Sequence, residues 1–273
     1  MITSELAALA EDPDVFIEPP EGSSRVVDER FCLVIGPHRR WAGVSRLRLP
    51  PRVGDLSSTV AEIHEIAAGI EEVVWNVGSS ATPAHLPDTL QLLGLRAPEP
   101  PMDAVCAGMA LAEEPPGVDG VEVRRIATFE EHLAGLEVML AAASWTERAA
   151  ADERARAEET FGRRQRRGGY QWLAWVEGRA VAYGLADPTP AGLVLAGGST
   201  LPEARGRGCY RALVRARWDE AVRLGTPGLA VQAQYGTSAP ILRRLGFSEV
   251  AAIHTLQSQG LRAQREPPAS STG

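Results

Sequence analysis

Two parts of this 273-residue chain alternate short apolar strands with amphipathic helices, and the Pro-rich stretch Pro115-Pro116-Gly117 lies between them. Apolar residues at helical spacing predict the helices, and runs of four to eight apolar residues bounded by Gly and Pro predict the strands. We therefore expect two α/β (α+β) domains, residues 1–117 and 118–258. The tail over 259–273, rich in Pro and Ser, is expected to be disordered.

The chain contains no lysine, because the 28 basic residues counted as Lys or Arg are all arginine. Schiff-base catalysis, pyridoxal-phosphate anchoring and the P-loop lysine of kinase-like NTPases all require a lysine amine. These classes of mechanism are excluded. The three cysteines are far apart and form no Cys/His cluster, so we expect no metal site and no disulfide framework.

The two parts differ in charge. Residues 1–117 carry 18 acids and 8 arginines, net −10, whereas residues 118–273 carry 17 acids and 20 arginines, net +3. A mildly basic domain suits a small anionic ligand, while nucleic-acid binding usually shows a stronger basic excess with interleaved aromatics. With no signal peptide and no apolar run of membrane-spanning length, we expect a cytoplasmic protein without nucleic-acid or membrane partners.

The most specific local pattern is the run Ser199 to Leu213, in which an apolar strand leads through a Gly-rich turn directly into a helix. Glycines at 206 and 208 let successive amides converge, and the helix N-terminus adds partial positive charge, so the pattern is typical of an anion site. The alternative is that the two glycines only shape a turn and the arginines form a solvent-exposed face of the helix. A dinucleotide fingerprint is disfavoured because Arg211 occupies the position of its third glycine.

The run Pro202 to Gly208, followed after a helix and a strand by Pro240 to Phe247, resembles the acyl-CoA site of the GNAT superfamily of N-acyltransferases. The resemblance covers residues 119–258. It implies a mixed, mostly antiparallel sheet flanked by helices, with acetyl-CoA bound where two strands splay apart, and direct acyl transfer to an amine. The residues that it assigns to acyl-CoA binding are Ser199, Thr200, Leu201, Arg205, Gly206, Arg207, Gly208, Cys209, Tyr210 and Ser238.

The catalytic groups depart from the family pattern. Leu242 stands where many members carry the tyrosine that protonates the departing thiolate, and Tyr235 is a candidate substitute, with a packing role as the alternative. The strand 192–200 has no carboxylate that could act as general base. A water, a neutral amine or one of four side chains could fill that role. The four are Asp187, Glu158, Glu159 and His254.

The first half resembles the same superfamily more faintly, at Ser79 to Pro87 and Leu92 to Leu95, but no Gly-rich turn precedes these segments. We therefore interpret the protein as two tandem GNAT-like modules, of which the N-terminal one is degenerate. The predicted activity is acetyl-CoA-dependent N-acetyl transfer to a small-molecule or peptide amine. A non-catalytic acyl-CoA sensor is the alternative, and the protein is expected to be a monomer or homodimer.

Overall fold

The computed structural model describes residues 1–99, 103–143 and 145–259. By its internal contacts the chain divides into two compact units. The C-terminal unit comprises Met1–Leu6, Ala110–Val231 and Leu242–Ser248. Of the described residues, the N-terminal unit comprises those in Ala7–Met109, Gln232–Ile241 and Glu249–Gln259. The domain boundary at residue 117 stays a prediction, and most of the tail assigned to 259–273 lies outside the described residues.

The secondary structure alternates along the chain as the hydrophobic pattern predicts. The helices are α1 (Ser4–Glu11), α2 (Pro13–Phe16), α3 (Val53–Ile66), α4 (Leu86–Leu92), α5 (Phe129–Ala142), α6 (Glu147–Ala155), α7 (Ala157–Arg166), α8 (Cys209–Arg223) and α9 (Ser238–Arg244). The strands are β1 (Ser24–Val27), β2 (Cys32–Ile35), β3 (Ala42–Ser45), β4 (Glu72–Val77), β5 (Val105–Leu111), β6 (Glu122–Arg125), β7 (Gln171–Val176), β8 (Arg179–Thr189), β9 (Gly192–Thr200), β10 (Leu229–Gln234) and β11 (Ser248–Gln259).

The N-terminal unit contains the strand order β1-β2-β3-β4-β11. Neighbours pair antiparallel except β3 and β4, which run parallel. Helix α3 buries Leu56, Val60 and Ile63 in a core that also contains Trp75, whose indole N–H donates to Ser258 Oγ at 3.0 Å. Strand β11, at the end of the described residues, therefore adds to the strands that the first part of the chain forms.

The C-terminal unit contains the strand order β10-β9-β8-β7-β6. Strands β6 to β9 are antiparallel, and β10 runs parallel to β9. Helix α5 starts in a capping box formed by Thr128 and Glu131, in which each side chain accepts a hydrogen bond from the other residue's amide. Helix α8 buries Leu213 and Val214 completely. Each unit therefore has the mixed, mostly antiparallel sheet with flanking helices that the sequence predicts.

Three elements differ from the sequence-based expectation. The charged pattern over 145–167 predicts one helix, but the structure has two, α6 and α7, separated at Arg156 by non-helical backbone (φ −100°, ψ 4°). Strand β8 continues through Pro188 to Thr189, although prolines usually end a strand. Strand β1 was not predicted, because all four of its side chains are exposed and its pattern lacks a buried face.

Candidate functional site

The candidate site begins where β9 ends and passes into α8. A single 3-10 turn, Pro202–Ala204, follows the strand, and two glycines then adopt left-handed backbone conformations. Gly206 has φ 79° and Gly208, the N-cap of α8, has φ 85°. Only glycine adopts this region at little cost. A Cβ on Gly208 would also lie 2.9 Å from Val118 Cγ1, so this position is restricted by packing as well.

The turn leaves a group of backbone amides without acceptors. Arg205 N–H donates to Pro202 O and Arg207 N–H to Ala204 O, at 3.2 and 3.4 Å. Five N–H groups form no hydrogen bond among the residues that the structure describes: those of Gly206, Gly208, Cys209, Tyr210 and Arg211. No acid occurs in the first turn of α8. Unpaired amides at the positive end of a helix dipole form an anion site.

Three arginines surround this turn, and they differ in their partners. Arg205 donates to the backbone oxygens of Thr200 and Ala142, at 3.4 and 3.2 Å. Arg207 forms an exposed ion pair with Glu177 at 3.0 Å. Arg211 is exposed and makes no ion pair or hydrogen bond with any described residue. It is therefore the arginine that can bind an anion without first releasing another group.

The edge of β9 that faces away from β8 carries free backbone groups. Leu201 N–H donates to Val181 O at 2.9 Å, and in antiparallel strands such bonded pairs alternate with unbonded ones. By the register, in which Ala182 faces Thr200 and Gly184 faces Gly198, the N–H groups of Gly198 and Thr200 point away from β8. These two peptide groups can bind an extended ligand as an added strand would.

Among the described residues, this edge of β9 is unpaired beyond Val194, because β9 and β10 pair only near their first residues. Their parallel register joins Leu229 with Leu193 and Ala230 with Val194. The β8–β9 register shifts between Gly184 and Ala186, and on β9 the irregularity contains Gly197 with φ 87°. Gly197 and Gly198 are both exposed. Free amides on β9, an irregular strand and a Gly-rich helix start thus lie within one strand–turn–helix segment.

Comparison with solved structures gives the fold. A GCN5-related N-acetyltransferase from Kribbella flavida matches with a TM-score of 0.67 and 17% identity, over 94% of this chain and 98% of that chain. A tandem GNAT protein from the clavulanic acid biosynthesis pathway matches with a TM-score of 0.60 and 16% identity, over 88% and 84%. The chain has a tandem GNAT fold. No protein-family model and no curated protein matches the sequence.

A third GNAT-fold structure, a GCN5-related N-acetyltransferase from Sphaerobacter thermophilus, matches with a TM-score of 0.55 and 17% identity, over 85% of this chain and 82% of that chain. At these identities the comparison establishes the fold. Within this GNAT fold the roles of individual residues have to be argued from their own geometry.

Two of the predicted cofactor residues have their side chains in packing positions. The Cys209 thiol is buried, 1% exposed, and burial raises its pKa, so it is poorly suited to act as a nucleophile. The ring of Tyr210 lies against Gly198, where a Cβ would be 2.8 Å from Tyr210 Cε2. Ser238, the first residue of α9, accepts a hydrogen bond at Oγ from Gln234 N–H at 3.1 Å.

The catalytic candidates are distributed over both units. In the N-terminal unit, the Tyr235 hydroxyl donates a hydrogen bond to Glu249 Oε1 at 2.5 Å. His254 is exposed there and lines a cavity of about 300 Å³ together with His85 and Asp88. In the C-terminal unit, Asp187 is 8% exposed and pairs with two arginines.

Asp187 is held by two arginines of the C-terminal unit. Its Oδ1 lies 3.1 Å from Arg164 and 3.6 Å from Arg167. A carboxylate held by two guanidinium groups is structural rather than a free base. Glu159 pairs with Arg163 at 3.2 Å, and Glu158 is exposed. Within the described residues, therefore, none of these candidate bases forms a hydrogen bond with a group on the open edge of β9.

In the N-terminal unit, the chain's own backbone pairs with the segment that follows a parallel strand pair. Strands β3 and β4 pair in parallel, as β9 and β10 do, but the chain after β4 returns to the end of β3. Leu49 N–H donates to Thr82 O and Thr82 N–H to Leu47 O, at 2.9 and 3.1 Å. Thr82 therefore occupies the backbone groups that an added strand would use. Helix α3 begins after Arg52 (φ −82°), without a Gly-rich turn.

Neither a cluster of metal-ligating side chains nor a membrane-spanning helix occurs in the residues that the structure describes. No group of three or more His, Cys, Asp or Glu side chains is placed to hold a metal ion there. None of the helices in this part of the chain is long and apolar enough to cross a bilayer.

Proposed function

We propose that this protein is an acetyl-CoA-dependent N-acyltransferase that transfers the acyl group directly to an amine. One observation carries the proposal: the five unpaired amides at the start of α8 continue, on the same segment, into the free strand edge at Gly198 and Thr200. A pyrophosphate bound to the first group would place the pantetheine arm along the second. Both halves of the CoA molecule therefore find groups of matching chemistry.

The reaction needs few side chains. The amine nitrogen attacks the thioester carbonyl carbon, the C–S bond breaks, and the amine loses one proton while the CoA thiolate gains one. The Gly198 N–H points to the open edge of β9 and can stabilise the oxyanion that forms. Protonation of the thiolate by Tyr235, whose hydroxyl is hydrogen-bonded to Glu249, stays a sequence-based hypothesis. The buried thiol of Cys209 is not required, since transfer is direct.

Further elements of the proposal concern the rest of the chain. Residues 118–258 carry the acyl-CoA site and residues 1–117 form a degenerate module in which Thr82 closes the corresponding opening. The net charge of −10 in residues 1–117 favours a cationic amine acceptor. The free cysteines fit a reducing compartment such as the cytoplasm.

Titration calorimetry with acetyl-CoA, followed by thiol-release assays with a panel of primary amines, tests the proposal. We expect a dissociation constant in the micromolar range and turnover with at least one amine. Absence of acetyl-CoA binding by the wild type would contradict the proposed function. Binding without turnover by any amine would instead favour an acyl-CoA sensor.

A further inference from the structure

A fully buried arginine on α8 contacts the irregular part of β9. Arg217 has 0% exposure, and its Nε donates to the carbonyl of Leu213 at 3.0 Å within the helix. Its Nη1 donates to the carbonyls of Leu185 and Gly197, at 3.2 and 3.4 Å. Both carbonyls lie where the β8–β9 register shifts. The guanidinium therefore binds the strand irregularity from the side of the helix.

Two glycines make room for this contact. Gly184 and Gly198 face each other across β8 and β9. A Cβ on Gly184 would lie 3.2 Å from Arg217 Cζ, and one on Gly198 would lie 2.8 Å from Tyr210 Cε2. Tyr210 and Arg217 are two helical turns apart on the same face of α8, and the guanidinium carbon is 5.9 Å from the ring centroid. The glycine pair is thus covered by one cation and one ring.

The charge of Arg217 is not neutralised by a carboxylate among the described residues. Its Nη2 has no hydrogen-bond partner there, and burial lowers the pKa of the guanidinium. The nearby Tyr210 side chain favours the charged form. A hydrophobic side chain would fill this space without the cost of burying a charge. That cost points to a use for the charge.

The peptide group between Gly197 and Gly198 connects this charge to the open edge of β9. Its carbonyl accepts from Arg217, and because peptide groups are trans, its N–H points in the opposite direction, away from β8. A cation on the carbonyl oxygen polarises the peptide and strengthens its N–H as a donor. We propose that Arg217 is a positioning residue that fixes and polarises the Gly197–Gly198 peptide for the acyl carbonyl. This inference rests on the proposed function.

Three variants separate charge from packing. Arg217→Met removes the charge and all donors, Arg217→Gln keeps a donor without the charge, and Arg217→Lys keeps the charge. The matched control is Arg223→Met, which removes an exposed arginine from the last turn of the same helix. The probe is acetyl-CoA labelled with ¹³C at the thioester carbonyl, whose stretching frequency is read by difference infrared spectroscopy in the bound state.

The wild type should shift the carbonyl stretch to lower frequency than in free acetyl-CoA. Arg217→Met should lose at least half of that shift and about tenfold in kcat, less than the loss on removing a direct oxyanion donor, with the dissociation constant for acetyl-CoA changed by less than about threefold. Arg217→Lys should retain more of the shift than Arg217→Gln, and Arg223→Met should retain all of it. If Arg217 only stabilised the fold, replacing it would leave the carbonyl stretching frequency of bound acetyl-CoA unchanged.

The outcomes separate this inference from the proposed function. If the wild type binds acetyl-CoA and Arg217→Met keeps the full carbonyl shift, the positioning role is wrong while the proposed function stands. If Arg217→Met does not fold, equal shifts in the Lys and Gln variants overturn the inference. If the wild type binds no acetyl-CoA, the proposed function fails and the inference fails with it.

Discussion

A negative charge placed in the Gly-rich turn should strongly weaken acetyl-CoA binding while leaving the fold intact. Gly206→Glu is the sharpest form of this change, because no atom lies within 4 Å of the position where its Cβ would be. The expected folding cost is then only the strain of a side chain at φ 79°, about 1–2 kcal/mol. Gly208→Glu would add a clash with Val118 and so is less informative.

The size of the binding defect follows from electrostatics. A carboxylate about 6 Å from each of two pyrophosphate charges costs about 1.4 kcal/mol per charge at an effective dielectric constant of about 40. The sum, about 3 kcal/mol, corresponds to about 100-fold weaker binding. Screening shortens the range of this repulsion to about 3 Å at 1 M salt, so the defect should shrink when salt is added.

Gly225→Glu provides a matched control. Gly225 follows α8 at its opposite end, has φ 77°, and also has no atom within 4 Å of its Cβ position. Both variants should lose similar amounts of thermal stability, and calorimetry should show weaker acetyl-CoA binding only for Gly206→Glu. Equal affinities of the two variants at low salt would refute the assignment of the turn as the phosphate site.

Three further predictions concern packing, pH and proton transfer. Gly198→Ala should lower stability by about 1–3 kcal/mol in thermal unfolding and reduce turnover, because its Cβ would meet the Tyr210 ring at 2.8 Å. Asp12→Asn should raise the free energy of unfolding by about 1–3 kcal/mol at pH 8 but not below pH 4, as urea titrations would show, because burial raises the pKa of Asp12 from 3.8 to about 6. If Tyr235 is the acid, Tyr235→Phe should lower kcat by about 100-fold with little change in KM.

Controls and contrary outcomes are available for each. Gly54 lies on α3, and no atom is within 4 Å of the position where its Cβ would be. Gly54→Ala should therefore be neutral or stabilising. Equal losses of stability in Gly54→Ala and Gly198→Ala would contradict the packing argument. The folded state binds the extra proton on Asp12, so wild-type stability should fall as pH rises from about 4 to about 6. A stability difference unchanged across that range would refute the burial effect. If Tyr235→Phe leaves kcat unchanged, Tyr235 is not the acid, and the thiolate takes its proton from solvent.

The Gly-rich turn was predictable because it is a local structure. Gly206 and Gly208 allow positive φ wherever they occur, and the helix that follows them carries its own dipole. The break at Arg156 between α6 and α7 was not predictable, since the charged pattern is compatible with one long helix. The assignment of β11 to the N-terminal unit was equally hidden, because pairing with β4 depends on residues more than 170 positions apart.

The amino-acid sequence by itself determined that strands and helices alternate twice, and that the proposed acyl-CoA site has only backbone amides and arginine available for phosphate, since the chain has no lysine. Tertiary structure decided which amides are free. Leu201 was expected to bind the ligand, but its N–H is bonded to Val181, whereas Gly198 points to the open edge. The burial of Arg217 against Gly197 likewise arises only when α8 packs on β8 and β9, because hydrogen-bond direction and burial are set by register and packing between distant segments.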